Sequence, residues 1–578
     1  MAAPPPPPPA PLDPQLQTMA TSGAGEEHHH HGPGDEPSVR IEDLPTVTSL
    51  PAPASCVCVC DASPLRCFSP RICAYGAKNR CLAACRAGGL GCCPLHFLLL
   101  QEILHAIVSL LPLKEAVRTS ILSTSWKMLW TFHCNLCFYG PNETDHDPST
   151  SVPRFESYGP DAFREAIDEY LETKQAKLKI KRDKFIEDVN CVIQRHSGVG
   201  VSKFSIRCGL HKEDFDHLDR WISFAALSRA KIVDFDLKKN DSPSKEVNQS
   251  PLEALVVQGS SSRVQSLYLA DASIKPHSRI CGFTVLRRLV LEFVEIFGDF
   301  PGFLANCSAL EDLEMIECSG VTNLSIPQQL HKLQHLLIDG MGVETVESHA
   351  ADLAHFEYKG KEIPIILHGR SKLEKATIMF QGSNGLARVF TAVPIILRVK
   401  MLKVEALIFH EQLGKLTPRP DHIFIHLRHM TCEIAFLFDY LASLSVLQLA
   451  RCLDVAPQLE TLDLNMLYPD SKVWVHDDLV VEEGPHMRRH EHLKTVHISG
   501  FRCYAGQSKL ACCILENACV LEHMRIQPRF LTMTRTSRYD SWPNEGVRGR
   551  FLPEAREWAQ VTSERFGKVI TVLDDPSE

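Results

Sequence analysis

The sequence predicts an α/β protein: a short all-α unit, then a solenoid of short parallel strands, behind a disordered N-terminal tail. Three observations predict it. A phrase of the form apolar-x-x-apolar-x-apolar recurs beyond residue 199, and its starts from 264 to 373 step by 22, 24, 23, 20 and 20 residues. Upstream, Glu102 to Trp130 sets short apolar helical segments around Leu-Pro punctuation. Residues 1–40 carry Pro4 to Pro9, the run His28 to His31 and many Gly and Pro, which leaves little apolar surface to bury.

The helical unit follows from spacing. Ile103, Leu104, Ile107, Leu110 and Leu111 recur at i, i+1, i+4, i+7 and i+8, one apolar stripe on a helix that Pro112 ends. Lys114 to Leu122 then places Ala116, Val117, Ser120 and Ile121 on one side, and Ser123 is positioned to N-cap a last turn with Trp126, Leu129 and Trp130. A unit of roughly 40 residues buries too little surface to stand alone. Its leftover apolar face either caps the downstream repeats or binds another protein, and periodicity leaves both open.

Phe163, Ile167 and Tyr170, then Phe185, Val189, Val192 and Ile193, predict helix from 163 to 196, with the charged run Lys174 to Lys184 as a solvated face or loop. The phrase then starts at Val201, Ile232 (with Phe235 and Leu237), Val264, Leu286, Leu310, Leu333, Leu353, Leu373, Val404, Leu459, Leu493 and Leu521. This is the period and phrasing of leucine-rich repeats, each giving one short strand to a parallel sheet and returning through a helix or irregular segment. The competing reading is an ordinary α/β domain with parallel strands. His490 to Arg529 reads as strand, loop, helix, strand. A helix from Pro553 to Phe566, with Pro at its start, and a strand from Val569 to Leu573 cap the solenoid.

The segment Glu102 to Trp130 resembles the F-box, with Ile41-Glu42-Asp43-Leu44-Pro45 as its displaced start. Leu44, Pro45, Ile107, Leu110, Pro112, Val117, Leu122, Ser123 and Trp126 fall on motif positions, while Thr124 and Ser125 replace the basic pair often found before the Trp. The resemblance implies docking onto the Skp adaptor of a cullin-based ubiquitin ligase. The residues it nominates for that contact are Leu44, Pro45, Ile103, Leu104, Ile107, Leu110, Pro112, Leu113, Val117, Ile121, Leu122, Ser123 and Trp126. Gly500-Phe501, Asn517-Ala518 and Leu521-Glu522-His523-Met524 resemble the FBD region of plant F-box/leucine-rich-repeat proteins, with Gln507-Ser508-Lys509 where that region is usually acidic.

Residues 47–101 interrupt the F-box, and removing them joins Leu44-Pro45-Thr46 directly to Glu102. Val47 must be encoded by GTN, Gln101 can be CAG, and Phe97 to Leu100 take pyrimidine-rich codons, so the segment reads as a translated retained intron without structure of its own. Its Cys56-x-Cys58-x-Cys60 lacks the spacing of a zinc knuckle. The expected domains are thus a tail (1–40), the interrupted F-box (41–130), linker and helices (131–198), repeats (199–489), an FBD-like region (490–530) and a cap (531–578).

A net charge of -9 over 578 residues gives no field for nucleic acid or an anionic membrane, and no apolar run is long enough to span a bilayer. The 13 cysteines outside the crowded insertion lie mostly in apolar segments, as reduced thiols do in cytosolic or nuclear proteins. The sequence has no phosphate-binding loop, dinucleotide fingerprint, nucleophile elbow or zincin motif, and His410-Glu411, followed by Gln-Leu-Gly, fails the zincin pattern. Cys134-x-x-Cys137 is a lone structural pair, and His490-Glu491-His492 precedes a strand. The expectation is a non-catalytic adaptor without cofactor or metal. It would hold a Skp-type adaptor and cullin complex at one end and a substrate protein on the concave face of the repeats. The alternatives are a repeat scaffold or an inactive splice isoform that cannot join a ligase, and a small-molecule receptor.

Overall fold

The computed structural model describes residues 103–123, 126–141, 160–238, 248–249, 255, 262–276, 282–368, 372–381, 388–389, 398–408, 424–436, 446–467, 487–529, 531–533, 538–540 and 545–574. All of them fall in the contact unit Val39–Glu578. The tail, Leu44, Pro45, the 47–101 insertion, Thr124, Ser125 and His410-Glu411 lie outside the described residues.

A 15-stranded sheet follows chain order, each strand parallel to the last. Its strands are β1 (Asn135–Tyr139), β2 (Lys203–Arg207), β3 (Ile232–Asp236), β4 (Ser266–Ala270) and β5 (Arg288–Glu292). Then come β6 (Asp312–Ile316), β7 (His335–Asp339), β8 (His355–Gly360), β9 (Lys375–Phe380) and β10 (Met401–Ile408). The last are β11 (His429–Phe436), β12 (Thr461–Leu467), β13 (Thr495–Ser499), β14 (His523–Gln527) and β15 (Ile570–Val572).

Pairing fixes why the phrase builds this ladder. The fourth phrase position falls in one register row, running Phe204, Val233, Leu267, Leu289, Leu313, Leu336, Phe356 and onward to Met524. These side chains are buried in a single continuous core. Alternate residues project to the opposite, open face of the ladder, as strand pleating requires. At the strand exits, Asp271, Phe293, Glu317 and Gly340 all take positive φ, so the chain turns off the ladder by the same left-handed step in four consecutive repeats.

The register corrects two phrase positions and adds one. Lys203 pairs with Ile232, so the phrase there starts at Ala230 and not at Ile232. Lys375 pairs with Met401, which puts Val399, and not Val404, in the place of Leu373. β11 belongs to a repeat that the sequence reading missed, starting at Leu427, because Met430 and Cys432 fill its apolar positions. The starts 373, 399, 427 and 459 then run without the long gap that separated Val404 from Leu459.

Several repeats return through short strands, and the repeat from Leu286 also carries a short helix at Phe300–Ala305. Residues 248–249, 272–274 and 295–296 form one parallel sheet, and 323–326, 345–348 and 365–367 another. Steps of 20 to 24 residues leave no room for a helix of several turns. Longer steps admit one, as Phe215–Leu227 and Ala505–Asn517 show.

Pro160–Arg195 is a single 36-residue helix, with the Lys174 to Lys184 run continuous within it and not looped out. The C-terminal helix spans Glu545–Phe566, so Pro553 lies inside it and not at its start. The closing strand pairs with β14 and caps the ladder as expected. Among the described residues no helix is long and apolar enough to cross a membrane.

Candidate protein-binding surfaces

The helical unit at 103–132 consists of a helix over 103–109, an α-helix at Leu113–Arg118, a 3-10 turn at Thr119–Ile121 and another at Leu129–Phe132. Pro112 supplies the N-cap backbone, and its carbonyl accepts from Ala116 N at 2.9 Å. The Ser123 carbonyl accepts from Trp126 N at 3.1 Å.

The single stripe expected on the first helix is two stripes. Leu104, Val108 and Leu111 face inward, with Val108 only 1% exposed, and join the repeat core. Ile103, Ile107 and Leu110 lie alongside them at i, i+4 and i+7 and face solvent, with Leu110 84% exposed. Ile121 and Leu122 are also exposed, Ile121 by 82%. Of the other nominated residues, Leu113 is buried, Val117 and Trp126 pack against the core, Pro112 is half-buried and Ser123 is exposed. Leu113, Val117, Leu104 and Trp126 therefore support the outer face from behind. Met128 and Phe132, which the sequence reading did not nominate, add exposed apolar surface; the Phe132 ring meets the His105 ring edge-on at 5.1 Å.

Two histidines tie this unit to the ladder. His133 is 3% exposed. Its Nδ1 accepts from Asn135 N at 3.2 Å, so Nε2 carries the proton and donates to the Leu111 carbonyl at 2.8 Å. His196 repeats the arrangement, with Gly198 N donating to its Nδ1 and its own Nε2 donating to the His133 carbonyl, both at 3.0 Å. Burial pushes the His196 imidazole below its ordinary value, against its bond to the His133 carbonyl.

The open face of the ladder is a lattice of charges in register. Arg288, Asp312, His335, His355 and Lys375 stand side by side on β5 to β9. Arg288 reaches Asp312 at 3.2 Å and Glu314 at 2.9 Å. Further along, Lys403 bridges Glu405 at 3.1 Å and Glu433 at 2.9 Å, and Lys359 meets Glu405 at 2.7 Å. Burial opposes the His335 imidazolium, yet the hydrogen bond to Asp312 and the nearby Glu357 raise it to about 9. Burial pushes His355 down to about 4. Burial also opposes ionisation of Glu357, but the adjoining His335, His355 and Lys359 outweigh it and bring the carboxyl to about 2.

Between residues 490 and 529 the expected order of elements holds: β13, a helix ending at Asn517, then β14. Gly500 takes φ +70°, and a Cβ there would collide with the Met466 carbonyl. Gln507 is fully buried. Its Oε1 accepts from Arg502 N at 2.8 Å and its Nε2 donates to the Gly500 carbonyl at 2.9 Å, which closes the loop between strand and helix. The described cysteines, Cys134 and Cys137 included, are all free thiols. Burial pushes the Cys208, Cys307, Cys318 and Cys432 thiols up to about 12, as inert core residues.

Comparison with known proteins agrees with this architecture. The family model described as At1g61320/AtMIF1, LRR domain, matches residues 192–545. The F-box/LRR-repeat protein At3g58900 of Arabidopsis thaliana is 26% identical over 264 residues, 45% of this chain and 70% of that protein. The F-box/LRR-repeat protein At3g58940 of the same plant is 32% identical over 124 residues, 21% of this chain and 16% of that protein. The putative F-box protein At3g44060, also from Arabidopsis thaliana, is 28% identical over 221 residues, 37% of this chain and 42% of its own length. Among solved structures, an internalin from Listeria monocytogenes shares 13% identity and covers 48% of this chain and 79% of its own, with a TM-score of 0.19 too low to carry any argument. With its ladder continuous through the matched residues, the chain belongs to the At1g61320/AtMIF1 leucine-rich-repeat domain family and resembles plant F-box/LRR-repeat proteins.

Proposed function

We propose that this chain is the non-catalytic substrate-recognition subunit of a Skp-cullin-F-box ubiquitin ligase. The observation that carries the reading is the split of the first helix. One apolar stripe is spent on the repeat core, and a second, Ile103, Ile107 and Leu110, stays on the surface, as do Ile121 and Leu122 of the same helical unit. A stripe of exposed apolar side chains on one helix face is the kind of surface that a partner protein covers. The F-box-like spacing supports the Skp adaptor as its occupant. The histidine links hold the patch rigidly against the ladder, so the adaptor and a substrate protein on the open face keep a fixed relation. Any acceleration of ubiquitin transfer then comes from proximity, through effective concentration at the substrate lysine. The free thiols fit a reducing compartment, cytosol or nucleus.

A second reading rests on the separation of Leu44-Pro45 from Glu102 by residues 47–101. In it, this form is a splice isoform whose F-box start is displaced and which no longer joins a ligase. A pull-down with a plant Skp adaptor, comparing the full chain with a version lacking 47–101, separates the two. Capture of both forms supports the ligase subunit, and capture of only the shortened form supports the inactive isoform. Capture of neither removes the ligase reading.

A further inference from the structure

The open face of β6 to β8 holds a side-chain cluster that adaptor binding does not use. His335 and His355 are register partners on adjacent strands, and their rings stack at 4.6 Å with 21° between planes. Glu357, two residues beyond His355 on the same face, brings Oε1 to 3.1 Å from His355 Nε2 and 3.3 Å from His335 Nε2. Both Nε2 atoms are shut off from water, and neither has a hydrogen-bond partner. On the far side of the His335 ring, Nδ1 lies 2.7 Å from Asp312 Oδ1. A carboxylate on one imidazole nitrogen orients the ring and makes the other nitrogen a better donor to a metal.

We propose that His335 Nε2, His355 Nε2 and Glu357 Oε1 form a binding site for one divalent transition-metal ion of the zinc class. Two imidazoles and one carboxylate are a donor set that zinc accepts, with a fourth position left for water or for a side chain of whatever occupies the open face. The spacing fits the ion. Tetrahedral coordination with bonds of about 2.0–2.1 Å puts ligand atoms roughly 3.3 Å apart, and two of the three edges already measure 3.1 and 3.3 Å. The third lies within 4.8 Å and closes by tilting the stacked rings. Without an ion, Glu357 pairs with the imidazoles themselves, so a bound metal would replace the His335 proton and metal uptake would release it. Asp312, Glu314 and Glu357 bring three carboxylates to the cluster, partly offset by Arg288 and Lys375 in the same rows.

A second group, Glu347, His349 and His368, lies on the return-strand side of the same repeats and serves as the internal control. Its rings also stack, at 4.3 Å, but His368 Nε2 bonds Glu347 Oε1 at 2.6 Å and both imidazoles are open to water at 40% and 45% exposure. The proposal concerns the half-buried His335, His355 and Glu357 cluster and stands whether or not the ligase reading does.

The test uses the full chain, stripped with a chelator and titrated with Zn²⁺ by calorimetry and with Co²⁺ by visible absorption. Binding by the His28 to His31 run and the cysteine-rich insertion is common to all variants, so the site is read as a difference. His355→Ala and the near-isosteric Glu357→Gln are expected to lose one equivalent of metal and its tetrahedral Co²⁺ bands. Asp312→Asn, which alters only the positioning carboxylate, is expected to weaken that equivalent by about 10–100-fold. His349→Ala with His368→Ala is expected to retain it, and circular dichroism checks that each variant is folded. Unchanged stoichiometry in folded His355→Ala and Glu357→Gln would overturn the site. So would loss of the equivalent only in the His349/His368 variant.

Discussion

His196 donates from Nε2 to the main-chain carbonyl of His133 at 3.0 Å, across 63 residues of sequence. The contact joins the end of the long helix to the first repeat, and His133 passes it on to Leu111 in the helical unit. The His196 ring cannot take a second proton without losing the N–H bond that its Nδ1 accepts.

That arrangement predicts an acid-sensitive fold. His196 and His490 are both held below the ordinary 6.5, in each case chiefly by burial. His490 uses the same wiring, accepting from Leu493 N at 3.1 Å and donating to the Ala456 carbonyl at 3.0 Å. The unfolded chain therefore protonates first. The stability these residues contribute is full above pH 6.5 and is lost as pH falls from there toward their lowered folded values, by at most about 1.4 kcal/mol per pH unit for each histidine. Thermal unfolding from pH 8 to pH 5 should show this slope, and His196→Gln should reduce it; a slope that the variant leaves intact contradicts the assignment.

The two helix stripes should separate under mutation. Ile107→Asp and Leu110→Asp are expected to leave stability within about 0.5 kcal/mol, whereas Val108→Asp buries an unpaired carboxylate and should cost several kcal/mol, on the order of the largest single-site effects. Urea unfolding of the three variants checks it, and equal losses at 107, 108 and 110 would show that the stripes are not distinct.

Gly500→Ala should destabilise the C-terminal end of the ladder. The left-handed backbone alone costs about 1–2 kcal/mol for an L side chain, and the Met466 carbonyl must also move aside. Hydrogen exchange should quicken in β12 and β13 before it does in β5 to β8.

Gln507→Ala removes the buried acceptor of Arg502 N and the donor to the Gly500 carbonyl. A loss of about 1–3 kcal/mol is expected. Gln507→Glu keeps the acceptor but turns a buried donor into a second acceptor facing a carbonyl, and should be no better than Ala. Calorimetric melting of the pair measures both.

Much of the ladder was legible because its phrase uses Leu, Val, Ile and Phe at fixed spacing. Reading failed where other residues hold the same places: Ala230 and Val399 open their repeats inconspicuously, and Met430 and Cys432 concealed the repeat at Leu427. Periodicity along one helix could not separate Ile107 from Val108, since both are apolar and only tertiary contact decides which turns inward. The His335, His355 and Glu357 cluster is scattered in sequence, yet the signal existed. Once the phrase starts at Leu333 and Leu353, its third position places His335 beside His355.

The central claim is that the outer helical stripe docks a Skp-type adaptor. Its most direct test is calorimetric titration of a plant Skp adaptor into the chain lacking 47–101 and into the same chain carrying Ile107→Asp and Leu110→Asp. The account predicts saturable binding to the first and none to the folded double variant. Equal binding to both, or none to either, would contradict it.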